Sequence, residues 1–577
     1  MSSTPTAEEL ALQNTVSQSA SAHPELYHTV SHASNNSYQL PQLSRSATSN
    51  FSTSARFAAR YPTTAGESFQ NLTPVNSNPS NQNSKTEPNP DDVEKCIQDP
   101  LLQVFPVVEE PERFVFSIDP KSPLIAVNWP FKRKLKTTCI LAYVALCSSF
   151  ASSVFAVPAE AITTVFHISL TVSLLTMTVF LLGYCSGPII WAPLSELSGR
   201  KPPILIGMLG FGIFNISVAV GKDIQTIMMC RFFAGFFASA PLTVVAAALA
   251  DMYSNKYRGT AITLFSAMVF DGPLVSPIVG GFLTKSYLGW RWTEYITSFM
   301  GFFALIIVYL FCDETYSKAI IQGKAKEYRA ITGNYFVHAK SEEEVLTLSD
   351  IAKNYLLVPM KLLFTEPICF LITLYSSFVY AILYLLLEAY PIIFGEKRHF
   401  SMGVAELPYI GLLVGVFIGS GINIAFEPWY YRKCLAQGGK PDPEARLPPM
   451  MIGCFMFPAG IFWLSWSGHY SYVNWVVPAL SGLATGCGIL LIFLQCINYL
   501  IDAYLFRAAS AIAANTIMRS AMAAGFPLFA VQMFHNMGVG WAGSLLGFIA
   551  TALIPMPFVF FFFGRKIRRM SKMAVDF

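Results

Sequence analysis

Four charged side chains interrupt stretches that are otherwise apolar: Arg231 in RFFAGFFASAP, Asp271 in FDGPLVSP, Glu388 in LLLEAYP and Arg519 in NTIMRSAMAA. An ionisable group inside a membrane-crossing helix is expensive unless it is paired or faces water, which makes each of these a functional candidate. Glu388 and Asp271 carry chemistry that suits coupled transport. Desolvation strengthens a carboxyl's hold on its proton and a nearby cation weakens it, so a proton and a cationic substrate compete for one group. Glu388 lies either within its span or at the water boundary near Gly395, and Asp271 either lines a cavity or pairs with Arg231 or another helix. Arg231 is followed by Gly235, Ala238 and Ser239, which permit close helix packing, and a structural role for it is satisfying backbone carbonyls. Arg519, with Asn515 before it and Ser520 and Ala521 beside it, is a substrate contact or part of a helix interface. Tyr380, Tyr384 and Tyr390 offer ring faces to an organic cation, and Phe265 and Phe270 add two more.

These groups need a membrane around them, and the composition supplies one. The 577 residues are 53% hydrophobic and only 13% charged, against roughly 25% charged in soluble domains. From Thr137 onward, runs of about 20 apolar residues recur, each long enough to cross a hydrocarbon core of about 30 Å. Twelve are predicted, over 137–158, 172–193, 203–221, 226–249, 260–283 and 293–312, then 367–394, 403–425, 450–468, 473–495, 507–533 and 539–563. The fold class is therefore all-α integral membrane, with two six-helix bundles at 137–312 and 367–563. A polar central loop, 313–366, carries Lys318, Lys324, Lys326, Arg329 and the acidic run Glu342 to Glu344. Residues 1–95 are rich in Ser, Thr, Asn, Gln and Pro and read as a disordered tail. A juxtamembrane segment, 96–136, follows it, and 564–577 form a basic tail. No signal peptide precedes the first span, which serves as its own insertion signal.

Lys and Arg collect on one alternating set of loops: Lys132, Arg133, Lys134 and Lys136 before span 1, then Arg200, Lys201, Lys256, Arg258, Arg432, Lys433, Lys440 and Arg446. Arg565, Lys566, Arg568, Arg569 and Lys572 end the chain on the same side. The positive-inside rule makes that side cytoplasmic, with both termini and the central loop, so the sequons at Asn35, Asn50 and Asn71 stay unglycosylated. The loop after span 2 holds Glu196, Gly199, Arg200 and Lys201, a carboxylate, a turn-forming glycine and two cations that make a latch at a helix mouth. Asp251 with Arg258, and Asp502 with Arg507, invite the same reading as gate ion pairs.

No GxxxxGK[ST] loop, GxSxG elbow or HExxH pair occurs, which argues against ATP hydrolysis and membrane hydrolases; the expectation is no enzyme. Eleven cysteines form no CxxC pair or zinc spacing, so no metal or other cofactor is expected. Scattered cations argue against nucleic acid as a partner.

The stretch GYCSGPIIWAPLSELSGRKPP, Gly183 to Pro203, within twelve spans in two halves, resembles the major facilitator superfamily. Span 4, from Arg231 to Tyr253, resembles the arginine-bearing motif of proton-linked antiporters, and DGPLVSPIVGGF, with Gly272, Pro273, Pro277, Gly280 and Gly281, resembles the span 5 motif of exporters. With NYLIDAY (Asn498 to Tyr504) and LYLLLEAYPIIF (Leu383 to Phe394), the chain is similar to the fungal twelve-span drug:proton antiporters, in the branch of polyamine and multidrug exporters. The loop departs from the superfamily pattern in that Leu197 follows Glu196. The resemblance implies proton-coupled export of small cationic or amphipathic compounds, drugs and polyamines among them. Bundles rock about a midplane site, and Arg231 modulates proton release from a nearby carboxylate. It implies a monomer in the plasma membrane, with the vacuolar membrane as the alternative. A proton symporter or facilitator for a sugar or other nutrient, or a nutrient sensor, shares the fold and stays open.

Overall fold

The computed structural model describes residues 115–119, 121–332, 334–343, 357–436, 438, 442–504 and 507–571. The tail expected to be disordered over 1–95, the three sequons, Glu344, Lys440 and Lys572 lie outside them.

Pro130 caps the first helix in extended conformation, with φ −63° and ψ 148°, and α1 runs Phe131–Ser153. It begins six residues before the predicted span because its cations lie beyond the hydrocarbon. The Arg133 guanidinium stacks 4.1 Å over the Trp129 ring and bonds Asp313 at 2.8 Å. After the short α2 (Ala159–Phe166), the second span is built from α3 (Leu170–Ser186) and α4 (Pro188–Ser198). Then come α5 (Lys201–Val220), α6 (Ile224–Met252), α7 (Asn255–Lys285) and α8 (Arg291–Phe311). The polar segment after them is not a plain loop. It contains α9 (Ser317–Thr332) and α10 (Val358–Thr365), and a parallel strand pair joins β1 (Val115–Phe116) to β2 (His338–Ala339).

The second half has α11 (Pro367–Tyr390), continued by a π turn at Pro391–Glu396, then α12 (Tyr409–Ala436), α13 (Pro448–His469), α14 (Val476–Ala503), α15 (Ala508–Ala552) and α16 (Pro555–Met570). Eleven segments among the described residues are long and apolar enough to cross a membrane, and the last, Ser510–Arg569, has 60 residues. One crossing needs about 20. Gly538 divides that segment, with φ 74° and ψ 156°, a conformation that glycine alone adopts cheaply. Splitting the eleventh segment there yields the twelve crossings that the apolar runs predict.

Small residues set how tightly these helices approach. A Cβ on Gly235 would stand 2.0 Å from the Phe180 carbonyl oxygen, so α3 and α6 meet backbone to backbone. Within the first half α7 lies against α1 and α6 against α5; within the second, α12 and α13 flank α14 and α11 lies along α15. The halves join along two seams, α7 with α12 and α3 with α15.

Candidate functional site

The side chains that bridge the halves meet midway along the helices. Phe270 of α7 stands edge-on to Phe493 of α14 at 4.7 Å and to Tyr380 of α11 at 5.9 Å. Tyr380 also stacks on Phe493 at 6.2 Å. One turn along α11, the Tyr384 hydroxyl lies 3.2 Å from that of Tyr380 and 2.6 Å from Ser152 Oγ of α1, across the bundle boundary. Arg519 of α15 packs on this cluster, with its guanidinium carbon 4.5 Å from the Tyr380 centroid and 4.9 Å from that of Phe493. Its neighbour one turn back, Asn515, donates to Ser376 Oγ at 2.6 Å. Tyr380, Tyr384, Asn515 and Arg519, chosen from the sequence, are thus brought together, and Phe270 joins them.

Tyr390 is not part of that group. It stacks on Tyr409 at 4.5 Å, toward the end of α11 that faces away from the basic loops. Glu388 is buried at the same end with Oε1 unpartnered, and Glu406 is 2% exposed with Oε2 unpartnered. Glu406 falls in the predicted span 403–425, but that crossing begins only at Tyr409, which leaves Glu406 in the turn 401–408, outside the spans. Burial first, then the carboxylates of Glu388 and Glu160, push its carboxyl up to about 8.

Asp271 is buried with Oδ1 unpartnered among the described residues, and no pair with Arg231 forms. Pro273 and Pro277 lack the N–H that a helix interior needs, yet both fall inside continuous α7. Serines of α1 make that possible. Pro277 has no N–H for the Pro273 carbonyl, and Ser153 Oγ donates to that oxygen at 3.3 Å. Gly272 opens the contact, since a Cβ there would stand 2.1 Å from Ser149 Oγ. Gly280 faces Val154 and Gly281 faces Gly403 of the other half. Arg231 is fully buried against Glu294 at 3.2 Å, donates to the Ala151 carbonyl at 2.9 Å, and stacks 4.1 Å over Phe155.

At the basic face the expected pairings are corrected. Glu196 with Arg200, Asp251 with Arg258 and Asp502 with Arg507 are neighbours in sequence, but helix packing brings other partners closer. Arg200 pairs with Asp251 at 3.0 Å and bonds Ser195 Oγ at 2.8 Å. Asp502 pairs with Arg446 at 3.0 Å and accepts from the Tyr430 hydroxyl at 2.8 Å, while Arg446 also reaches Glu427 at 2.8 Å. Arg507 is exposed, Glu196 and Arg258 are half-buried, and none of the three forms an ion pair within 4 Å among the described residues. Gly199 takes φ 94°, and a Cβ on it would collide with Glu314 at 2.6 Å. That carboxylate accepts from the backbone N–H groups of Arg200 and Lys201 at 2.8 and 3.0 Å, capping α5. The Lys201 ammonium donates to the Tyr309 carbonyl at 3.2 Å.

The two ion pairs are counterparts. In each half an arginine just before the third span meets an aspartate at the end of the fourth, 51 residues apart in one and 56 in the other. That near-equal spacing is the signal by which Arg446 could have been found. Glu294, Glu314 and Glu427 lie at or just past predicted span ends, where a carboxylate resembles an ordinary boundary residue. Glu427 also closes the seam between halves: a Cβ on Gly259 of α7 would stand 1.8 Å from its Oε1. One turn deeper, Asn423 donates to Thr263 Oγ1 at 2.7 Å and accepts from Gln495.

A family model described as Major Facilitator Superfamily matches residues 139–527. A Schizosaccharomyces pombe protein named as an uncharacterised transporter is 84% identical over 576 residues, spanning 100% of both chains. The Candida albicans major facilitator superfamily multidrug transporter FLU1 is 46% identical over 472 residues, covering 81% of this chain and 77% of its own. Among solved structures, the E. coli xylose transporter XylE in a partially occluded inward-open conformation aligns with TM-score 0.50 at 15% identity, over 73% of this chain and 98% of that one, a likeness of fold.

Proposed function

This chain belongs to the major facilitator superfamily, and on that premise we propose that it exports small cationic or amphipathic compounds, drugs and polyamines among them, in exchange for protons. The observation that carries this reading is the midplane cluster. Rings from both halves, Phe270, Tyr380 and Phe493, meet there beside the Tyr384–Ser152 bridge, so a ligand among them touches both bundles at once. Rocking then exposes the cluster to one side at a time. On the basic, cytoplasmic side the closing contacts are Glu427 against Gly259 and Asn423 with Thr263, braced by the Arg446 and Arg200 pairs. Glu196, Lys201, Arg258 and Arg507 complete the charged rim of that gate.

Asp271 and Glu388 carry the proton, each buried with a free carboxyl oxygen. Arg231 acts on Glu294, the carboxylate it touches. The chain works as a monomer in the plasma membrane, with both termini in the cytoplasm, where the proton gradient drives export.

The test is reconstitution in vesicles with an imposed pH gradient, following labelled spermidine and a fluorescent cationic dye. Gradient-driven movement that falls at least tenfold in Glu388→Gln or Asp271→Asn is expected. Wild-type flux that is indifferent to the gradient would end the proton-exchange reading.

A further inference from the structure

Six arginines are buried among the described residues, and five have a carboxylate within 3.2 Å: Arg200 with Asp251, Arg231 with Glu294, Arg329 with Glu342, Arg446 with Glu427 and Arg568 with Glu444. The sixth, Arg519, is 4% exposed and has no carboxylate within 4 Å among the described residues, and its Nε has no hydrogen-bond partner. A guanidinium stays protonated in proteins, so burying one without an anion is costly. The five pairs show how this chain meets that cost elsewhere.

The surroundings of Arg519 are informative. Its guanidinium carbon lies over the rings of Tyr380 and Phe493. Ring faces do not take up its N–H groups as a carboxylate does, which grips a guanidinium in a two-pronged bond. The same rings make an aromatic cluster around it, Tyr380 stacked with Phe493 and Phe270 edge-on to both, a surrounding that matches an aromatic body once the halves part.

We propose that Arg519 is the anion-recognition residue of the midplane site, and that its substrates include organic acids in which an ionised carboxylate is joined to an aromatic ring system. The missing counter-ion of Arg519 is then the substrate itself. The proposal rests on the transport reading above and sharpens its substrate class. A cationic substrate is met by the buried carboxylates Asp271 and Glu388 and not by Arg519, so the acid class adds to the cationic one.

The test uses three probes with one ring system: 2-naphthoate, 2-naphthamide and 2-naphthylmethylammonium. Binding to the purified full-length protein and gradient-driven movement in vesicles are measured for wild type, Arg519→Gln and Arg519→Lys. A charge-assisted bond predicts that wild type prefers the carboxylate to the amide by about tenfold or more. That ratio falls to near 1 in Arg519→Gln and is partly kept in Arg519→Lys. Equal wild-type affinity for carboxylate and amide, or a preference that survives in Arg519→Gln, overturns the anion site, and the wild-type comparison holds even if a variant misfolds. Carboxylate movement that depends on Arg519 but ignores the proton gradient keeps the anion site and overturns proton exchange. Gradient-driven movement without carboxylate preference does the reverse.

Discussion

Glu406 is the residue at which pH should be felt. Its carboxyl, buried beside Glu388 and Glu160, is held up to about 8, whereas an exposed glutamate titrates near about 4.3. The closed arrangement around Glu406 therefore binds more protons than one in which that turn is hydrated. Its stability is complete at low pH and is lost as pH rises through about 8. Labels at Thr171 and Gln532, which touch across the α3–α15 seam at 3.5 Å, are expected to separate as pH rises from about 4 to about 8, the window between the two values. Glu406→Gln should flatten the profile; an unchanged profile in that variant would place the titrating group elsewhere.

Two helix ends carry the next predictions. Glu314 accepts from four backbone N–H groups, those of Arg200, Lys201, Thr315 and Tyr316. Glu314→Ala should cost about 1–2 kcal/mol, the scale of a lost cap, read as a lower melting temperature. Arg446→Gln should cost more, about 3–5 kcal/mol, because it strands both Glu427 and Asp502 in a buried site. Arg200→Gln is milder, since the Asp251 side chain it leaves is 24% exposed. At the seam, Gly259→Ala pushes a methyl into the Glu427 carboxylate, which has to swing aside and give up its bond to Arg446, loosening the contact between α7 and α12 by about 1–3 kcal/mol. The expected result is greater reactivity of a cysteine placed at Thr263 toward thiol reagents from the basic face. Unchanged reactivity would mean that this contact does not hold the face shut.

For the whole molecule the sign of the moved charge matters. Exchanging one inward proton for one outward organic anion moves two charges per cycle, whereas exchange for a neutral molecule moves one. Each charge is worth about 2.3 kcal/mol per 100 mV. An interior-negative potential set with potassium and valinomycin should therefore speed export of 2-naphthoate more than that of 2-naphthamide. Equal response of the two would show that the acid leaves uncharged.

The sequence by itself determined what depends on local chain properties. Apolar runs of about 20 residues dictate helices that cross, and Lys132 to Lys136 mark where the first begins. Arg231, Asp271, Glu388 and Arg519 are conspicuous because a charge within such a run is rare whatever surrounds it. Pairing was a different matter, decided only in the tertiary structure. Arg200 chose Asp251, 51 residues away, over Glu196, and Arg446 took the aspartate expected for Arg507. Tyr390 left the tyrosines of its own helix for Tyr409. Coulomb attraction and ring contact act over a few ångströms, a distance set by how separate helices pack and not by their spacing along the chain. For the same reason the lack of a carboxylate beside Arg519 among the described residues could not be read from its sequence neighbours: it depends on every helix packed around it.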